Sequence, residues 1–282
     1  MTGLLSFEIR AFMMERSATI MGAIIGDTIG STYEFNPTKD YNFPLYNDAM
    51  NYTDDSIMTI AVADWILNDE SLSPKKLIHT MRYYGNKYNP PKGGYGHLFS
   101  EWLRHSEMKA YNSWGNGSAM RVSSIGFGFP TLDKTLKVAE ISAAVTHNHP
   151  QGIKGAQATA AAIFLARKGE SKETIRKYIT EVFGYDLNRT CEEIRPTYQF
   201  EASCQETVPQ AIVAFLDSKD YLDAIRLGIS LGGDADTIAA ITGAIAAAFY
   251  KKVPSELYDR VLAKLPKDLE TMTLQFESKV LA

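Results

Sequence analysis

The stretch SLGGDADTIAAITGAIAAAFY, residues 230–250, sets two aspartates and a threonine at the mouth of a run that is apolar on every side. Such a run reads as a helix buried all round, and at 238–250 its most apolar part is too short to cross a bilayer, which takes about 20 residues. Far upstream, NYTDDSIMTIAVADWIL (51–67) repeats the arrangement, with Thr53, Asp54 and Asp55 opening a second apolar helix. Threonine and aspartate are ordinary N-caps, and acidic residues in a first turn suit the helix dipole, so either opening alone reads as a capped helix. The pair reads differently, because a cap uses one side chain and each segment offers two carboxylates and a hydroxyl where a helix enters the core. Carboxylates brought together repel and shift toward protonation unless cations compensate them. The donors are all oxygens with no His or Cys cluster beside them, which favours Mg²⁺ or Mn²⁺ over zinc. Two hard ions bridged by aspartates suit a hydrolase that positions sugar hydroxyls or a water.

Helical periodicity continues along the chain, at 19–29, 55–67, 74–85, 132–145, 152–168, 172–183, 208–218, 221–231 and 237–251, while strand-like alternation is scarce. Ser73 before Pro74, Ser171 three residues before Thr174, and Asp220 before an apolar face mark helix starts. The pattern predicts an all-α protein. Connections at 36–51, 87–97 and 184–206 are rich in Pro, Gly, Asn or Tyr, and loops of that length cover a site or are disordered. In GAIIGDTIG, Gly22, Gly26 and Gly30 share one helical face. Each costs about 1 kcal/mol against alanine, so either a neighbouring backbone or a ligand must come close there.

The 282 residues are 45% apolar and 22% charged, the composition of an ordinary globular protein of one or two domains with a sizeable core. With a net charge of −4 and no run of Lys or Arg, the chain carries no electrostatic footprint for nucleic acid or an anionic membrane. Cys191 and Cys204 are too few for a disulfide scaffold and lack metal-finger spacing, which implies a reducing cytoplasm and leaves room for one disulfide. Residues 1–17 are interrupted by Glu8, Arg10, Glu15 and Arg16 and do not form a signal peptide. A soluble cytoplasmic protein is expected, in which the sequon at Asn188 is chance.

Two further clusters carry chemistry. In YNSWGNGSAMR (111–121), Gly115 and Gly117 bracket Asn116 ahead of Ser118, a turn whose N–H groups can hold phosphate oxygens or serve a plain loop. It fits neither the P-loop nor the dinucleotide fingerprint. In THNHPQGIKGAQ (146–157), His147 and His149 lie on the turn before Pro150 and are ill-placed to share a metal. His147 reads either as a satisfied structural residue or, at a helix N-terminus, as a donor to a phosphate or sugar hydroxyl.

Taken together, GAIIGDTIGSTYEF, YTDDS, SWGNGSAMR, THNHP and SLGGDADTIAAITGAIA resemble the ADP-ribosylglycohydrolase family, which includes the dinitrogenase reductase-activating glycohydrolases, over residues 18–250. The resemblance implies a compact single-domain orthogonal helical bundle at 18–282, behind an N-terminal extension at 1–17, with a central cleft holding two Mg²⁺ or Mn²⁺ ions. It implies hydrolysis at C1″ of the distal ribose, releasing ADP-ribose from a modified side chain or other conjugate. Carried over by motif, Thr53, Asp54, Asp55, Asp234, Asp236 and Thr237 would hold the metals. Glu34, with Asp55 and Asp236, would act in catalysis, and Asp27 would support the metal ligands from behind or simply pack. Ser113, Gly115, Asn116, Gly117 and Ser118 would hold the diphosphate with His147 beside it, while Arg121 would assist or be structural. In members acting on ADP-ribosyl-arginine an acid is expected in the loop before the phosphate turn. Here that loop, NKYNPPKGGYGHLFSEW (86–102), has only Glu101, already in the next helix, so Tyr88 and Tyr95 become candidates for adenine or the leaving group. A non-catalytic ADP-ribose binder, a structural relative, or a di-metal hydrolase of another ribosyl compound are the competing readings.

Overall fold

The computed structural model describes residues 14–105, 107 and 109–281, so most of the expected N-terminal extension, 1–13, lies outside the described residues. The helices run α1 (Met21–Gly30), α2 (Asp54–Asn68), α3 (Pro74–Lys87), α4 (His97–Arg104), the short α5 (Gly117–Met120), α6 (Ser123–Gly128) and α7 (Leu132–Ala144). They continue with α8 (Pro150–Arg167), α9 (Lys172–Phe183), the short α10 (Cys191–Ile194), α11 (Cys204–Asp217), α12 (Tyr221–Ile229), α13 (Ala235–Tyr250), α14 (Ser255–Leu262) and α15 (Lys267–Leu281). Two short strands, β1 (Glu15–Arg16) and β2 (Val253–Pro254), pair antiparallel and tie the start of the described chain to the end of α13. The fold is an all-α bundle.

Local signals act where the sequence places them. Ser73 accepts from the Lys76 N–H, Ser171 from Thr174 and Asp220 from Asp223, each satisfying a backbone donor that a first helical turn leaves open. The expected start at 208 is displaced: α11 begins at Cys204 and carries Pro209 inside it. The two cysteines are free and buried.

The bundle is organised around α13, which is buried from Ala235 to Ala248 and packs on α1, α12, α11 and α8. Burying an isoleucine such as Ile238, Ile241 or Ile245 stabilises by about 1.5–3 kcal/mol, so this helix anchors the core. Its partner α1 explains the glycine face. A Cβ on Gly22 would stand 2.7 Å from the Gly243 carbonyl oxygen, on Gly26 2.5 Å from the Ala239 carbonyl carbon, and on Gly30 2.6 Å from the Asp236 Cα. The glycines are there for the α13 backbone. The start of α1 has no side-chain cap of its own; Glu277 of α15 instead accepts from the Thr19 and Met21 N–H groups at 2.8 and 3.0 Å.

The long connections are pinned rather than loose. Arg226 donates to the carbonyls of Tyr41 and Phe43, and Lys39 to that of Leu231, holding the first loop against α12 and the turn before α13. In the third, Ser203 bridges to Gly115, Ala202 accepts from the Asn116 N–H at 2.8 Å, and the Cys204 N–H donates to Trp114 at 2.9 Å.

Candidate active site

The close approach of α1 and α13 brings the C-terminal half of α1 to the mouths of α2 and α13. Asp27 on α1, Asp55 on α2 and Asp236 on α13 each place a carboxylate oxygen within 4.8 Å of the others, and Glu34, Asp234 and Asp236 form a second such group. Asp236 belongs to both. Asp27 therefore does more than pack. It accepts from the Thr53 hydroxyl at 2.6 Å, from the Thr53 and Ser56 N–H groups at 3.0 and 3.1 Å, and from the Ser56 hydroxyl. Thr53 in turn caps α2, its hydroxyl oxygen accepting from the Asp55 N–H while its proton goes to Asp27. The Thr237 hydroxyl donates to Asp55 Oδ2 at 3.2 Å, joining α13 to α2. Asp54 lines the cleft wall outside both groups.

Negative charge accumulates here. Burial, then the charge of Asp236 and Asp27, pushes the carboxyls of Asp54 and Asp55 well above their usual range, and burial followed by Asp234 does so for Asp236. Burial raises Asp27 and Asp234 to about 6. Glu34 is raised to about 8, by burial first and Asp236 second, with Lys92 the cation that opposes the shift. Asp55 Oδ1 and Glu34 Oε2 are buried with no hydrogen-bond partner among the described residues. Orphaned acceptors amid crowded oxygen donors are what hard divalent cations satisfy, so the residues present fit such ions.

The cleft that these groups floor has a volume of about 370 Å³, in the range of small-ligand sites. Ser113, Gly115, Asn116, Gly117, Arg121 and His147 line its other end. Asn116 links the two ends, donating from Nδ2 to Asp234 Oδ2 at 2.6 Å and to Thr207 at 3.1 Å. The Ser118 hydroxyl is fully buried and donates to the Gly152 carbonyl at 2.7 Å, fixing the start of α8. His147 and His149 both lie on the turn before α8. The residue at the start of α8 is His149, whose Nδ1 accepts from the Gln151 N–H. His147 lies buried beneath the glycine turn, its pKa driven well below the usual value by burial and then by Arg121.

Tyr88 and Tyr95 do not line the cleft: Tyr88 bonds to Asp268, and Tyr95 bonds to the Tyr88 carbonyl at 3.1 Å and packs on Phe99. Glu101 is exposed and faces His97. Sequence reasoning missed Leu98 and Phe200, each half exposed at the cleft rim. Their only sequence signal is a large apolar residue inside a long polar loop.

An all-α bundle with an acidic cluster at two helix mouths and the C-terminal half of α1, facing a glycine-rich turn across one cleft, defines the class of the protein. A profile of the ADP-ribosylglycohydrolase family matches residues 15–280, and the chain belongs to that family of hydrolases. It is 27% identical to the ADP-ribosylhydrolase ARH3 of Homo sapiens, over 82% of this chain and 84% of that protein. It is 26% identical to the ADP-ribosylarginine hydrolase Tri1 of Pseudomonas putida (strain GB-1), over 86% of this chain and 72% of that one. A solved structure described as an ADP-ribosylglycohydrolase-related protein complex superposes with a TM-score of 0.68 at 20% identity, covering 91% of this chain and 94% of that chain, and shares the fold. No described helix is long and apolar enough to cross a membrane.

Proposed function

We propose that the protein is a divalent-metal-dependent hydrolase that cleaves the N- or O-glycosidic bond at C1″ of ADP-ribose and releases ADP-ribose from a modified side chain or related conjugate. The observation that carries this is the crowded acidic cluster of Asp27, Asp55, Asp234, Asp236 and Glu34, joined through Asn116 to the glycine turn. Asp54, Asp55, Asp234 and Asp236, with Thr53, Thr237 and Glu34, would hold two Mg²⁺ or Mn²⁺ ions. Such ions supply positive charge and an ordered template for vicinal ribose hydroxyls and a water.

The chain's own residues do the rest. The glycine turn, with Ser113, Gly115, Asn116 and Gly117, accommodates the diphosphate, and this anchoring turns a bimolecular encounter into an oriented one. Hydrolysis breaks the C1″–N or C1″–O bond and forms C1″–OH. Glu34, beside Asp236 in the cleft, takes the proton of the incoming water and returns it to the leaving group. The remaining carboxylates face the oxocarbenium-like charge that develops at C1″. A cytoplasmic setting is part of the same proposal, supported by the free, buried thiols of Cys191 and Cys204.

The test is incubation with arginine-linked and serine-linked ADP-ribosyl peptides, with Mg²⁺ or with chelator. Metal-dependent release of ADP-ribose from one of them is expected. No release from either, by folded protein that binds Mg²⁺, refutes the reading.

A further inference from the structure

Beside the mouth of α13 a lysine stands where a bound ion could. Lys39 is an exposed residue of the first long loop, yet its ammonium turns onto two backbone carbonyls, that of Tyr198 at 2.5 Å and that of Leu231. Its stem lies over Gly232, where a Cβ would stand 2.9 Å from Lys39 Cε and 3.1 Å from Nζ. Tyr198 belongs to the third long loop and Leu231 to the turn after α12, so one cation joins three segments distant in sequence. Arg195 adds a second cation nearby, donating from Nε to Ser230 Oγ at 3.2 Å. Two like charges gather where the end of α12 leaves carbonyls without helical partners and the helix dipole favours cations.

The segment they grip leads directly to Asp234. The Leu231 and Gly232 N–H groups bond to the Gly228 and Ile229 carbonyls at 3.2 and 3.0 Å, and Gly232 takes a φ of +71° to turn the chain out of α12. Gly233 then lies against the ring of Tyr198, where a Cβ would stand 2.3 Å from Cε1. Asp234 follows at the N-cap of α13 without spending its carboxylate on the cap, and Oδ2 accepts from Asn116 instead. A carbonyl only accepts, so two carbonyls that converge on one point need a donor between them, and a compact ammonium supplies it. Remove it, and the Tyr198 and Leu231 oxygens face each other across the gap.

We infer that Lys39 is a positioning residue for Asp234, its ammonium serving as a fixed monovalent cation that locks the 231–233 turn to Tyr198 and so sets how Asp234 faces the acidic cluster. That Asp234 holds a divalent ion rests on the proposed function; the lock does not. Lys39 does not line the cleft, so it acts through the turn. A free cation of the same size and donor chemistry therefore suffices in its place.

The probe is ammonium chloride against tetramethylammonium chloride at matched ionic strength and pH, since only the first can donate hydrogen bonds. Hydrogen exchange of the metal-free protein reads the lock. In tetramethylammonium, Lys39→Ala should exchange faster than wild type at residues 228–234 while α8 keeps its protection, and ammonium should reverse the change. Calorimetric titration with Mg²⁺ reads the consequence: about tenfold weaker binding for Lys39→Ala, the order of one hydrogen bond to a charged group, restored by ammonium, with wild type indifferent to the salt. Lys39→Met keeps a side chain over Gly232 and should show both losses without the restoration. Unchanged exchange at 228–234 in Lys39→Ala, losses that ammonium does not restore, or equal restoration of Lys39→Met overturns the inference. Exchange that follows the expected pattern in a protein that binds no Mg²⁺ supports the lock and refutes the metal reading of the cleft.

Discussion

Gly26→Ala tests whether the glycine face of α1 is what assembles the acidic site. The added Cβ would stand 2.5 Å from the Ala239 carbonyl carbon, nearer still to its oxygen, and 3.0 Å from the Ala240 nitrogen. Carbon atoms pack at about 3.5–4.0 Å, so α1 must lift from α13 by roughly an ångström or the backbone must distort. Overpacking costs about 1–3 kcal/mol, and here the obstacle is backbone, which cannot rotate aside, so the upper end applies. Alanine's better helix propensity offsets about 1 kcal/mol. A net loss of about 2 kcal/mol is expected, seen as a fall in Tm of roughly 4 °C or more for a chain of this size. Asp27 is the next residue on the same helix, so the lift also separates it from Asp55 and Asp236 and should shrink the Tm gain on adding Mg²⁺. Gly94→Ala, where a Cβ meets nothing within 4 Å, is the stability control. A Gly26→Ala protein that melts at or above the wild-type temperature with the same Mg²⁺ response would refute the reasoning.

The carboxyl shifts predict a pH dependence whose sign follows from their direction. Asp27 and Asp234, raised from 3.8 to about 6, and Glu34, raised from 4.5 to about 8, bind more protons folded than unfolded across that interval. In chelator, therefore, stability should fall as pH rises from about 4 to about 8, each such aspartate contributing on the order of 3 kcal/mol. Urea titrations across that window check it, and a rising slope contradicts it. Asp55→Asn removes one buried, crowded charge, so its Tm in chelator should exceed that of the wild type while the Mg²⁺-induced gain disappears; thermal scans with and without Mg²⁺ distinguish this from simple destabilisation. Ser118→Ala deletes the buried hydrogen bond to Gly152 and should cost about 1–2 kcal/mol in urea unfolding. ADP-ribose affinity should be unchanged by it, and a large affinity loss would put the Ser118 hydroxyl back in contact with ligand.

The helices that carry their own caps were legible in the sequence, because Ser73, Ser171 and Asp220 act on backbone groups three residues away. The start of α11 was not, because Pro209 reads locally as a boundary and only tertiary packing overrides it. The aspartate-rich mouths of α2 and α13 were visible as excess charge, since two caps cannot employ four carboxylates. What they do together was hidden by chain distance. Asp27 could be read only as a supporting or packing residue because its four donors come from residues 53 and 56, and nothing local shows that the Ser118 hydroxyl is taken by Gly152.

The glycine face and the acidic cluster are most informative when taken together. Three glycines lower the intrinsic stability of α1, and a cluster of buried carboxylates lowers that of the apo fold; neither is a local optimum, and both meet at the α1–α13 contact. A sequence that departs twice from local consistency at one interface marks that interface as selected for something other than stability. The glycines let α1 approach until Asp27 can grip the mouth of α2, and that grip is what sets Asp55 opposite Asp236. If the cluster served only to cap helices, the close approach would be unnecessary, and an α1 carrying alanine at position 22, 26 or 30 on a slightly wider bundle would have been the more stable solution.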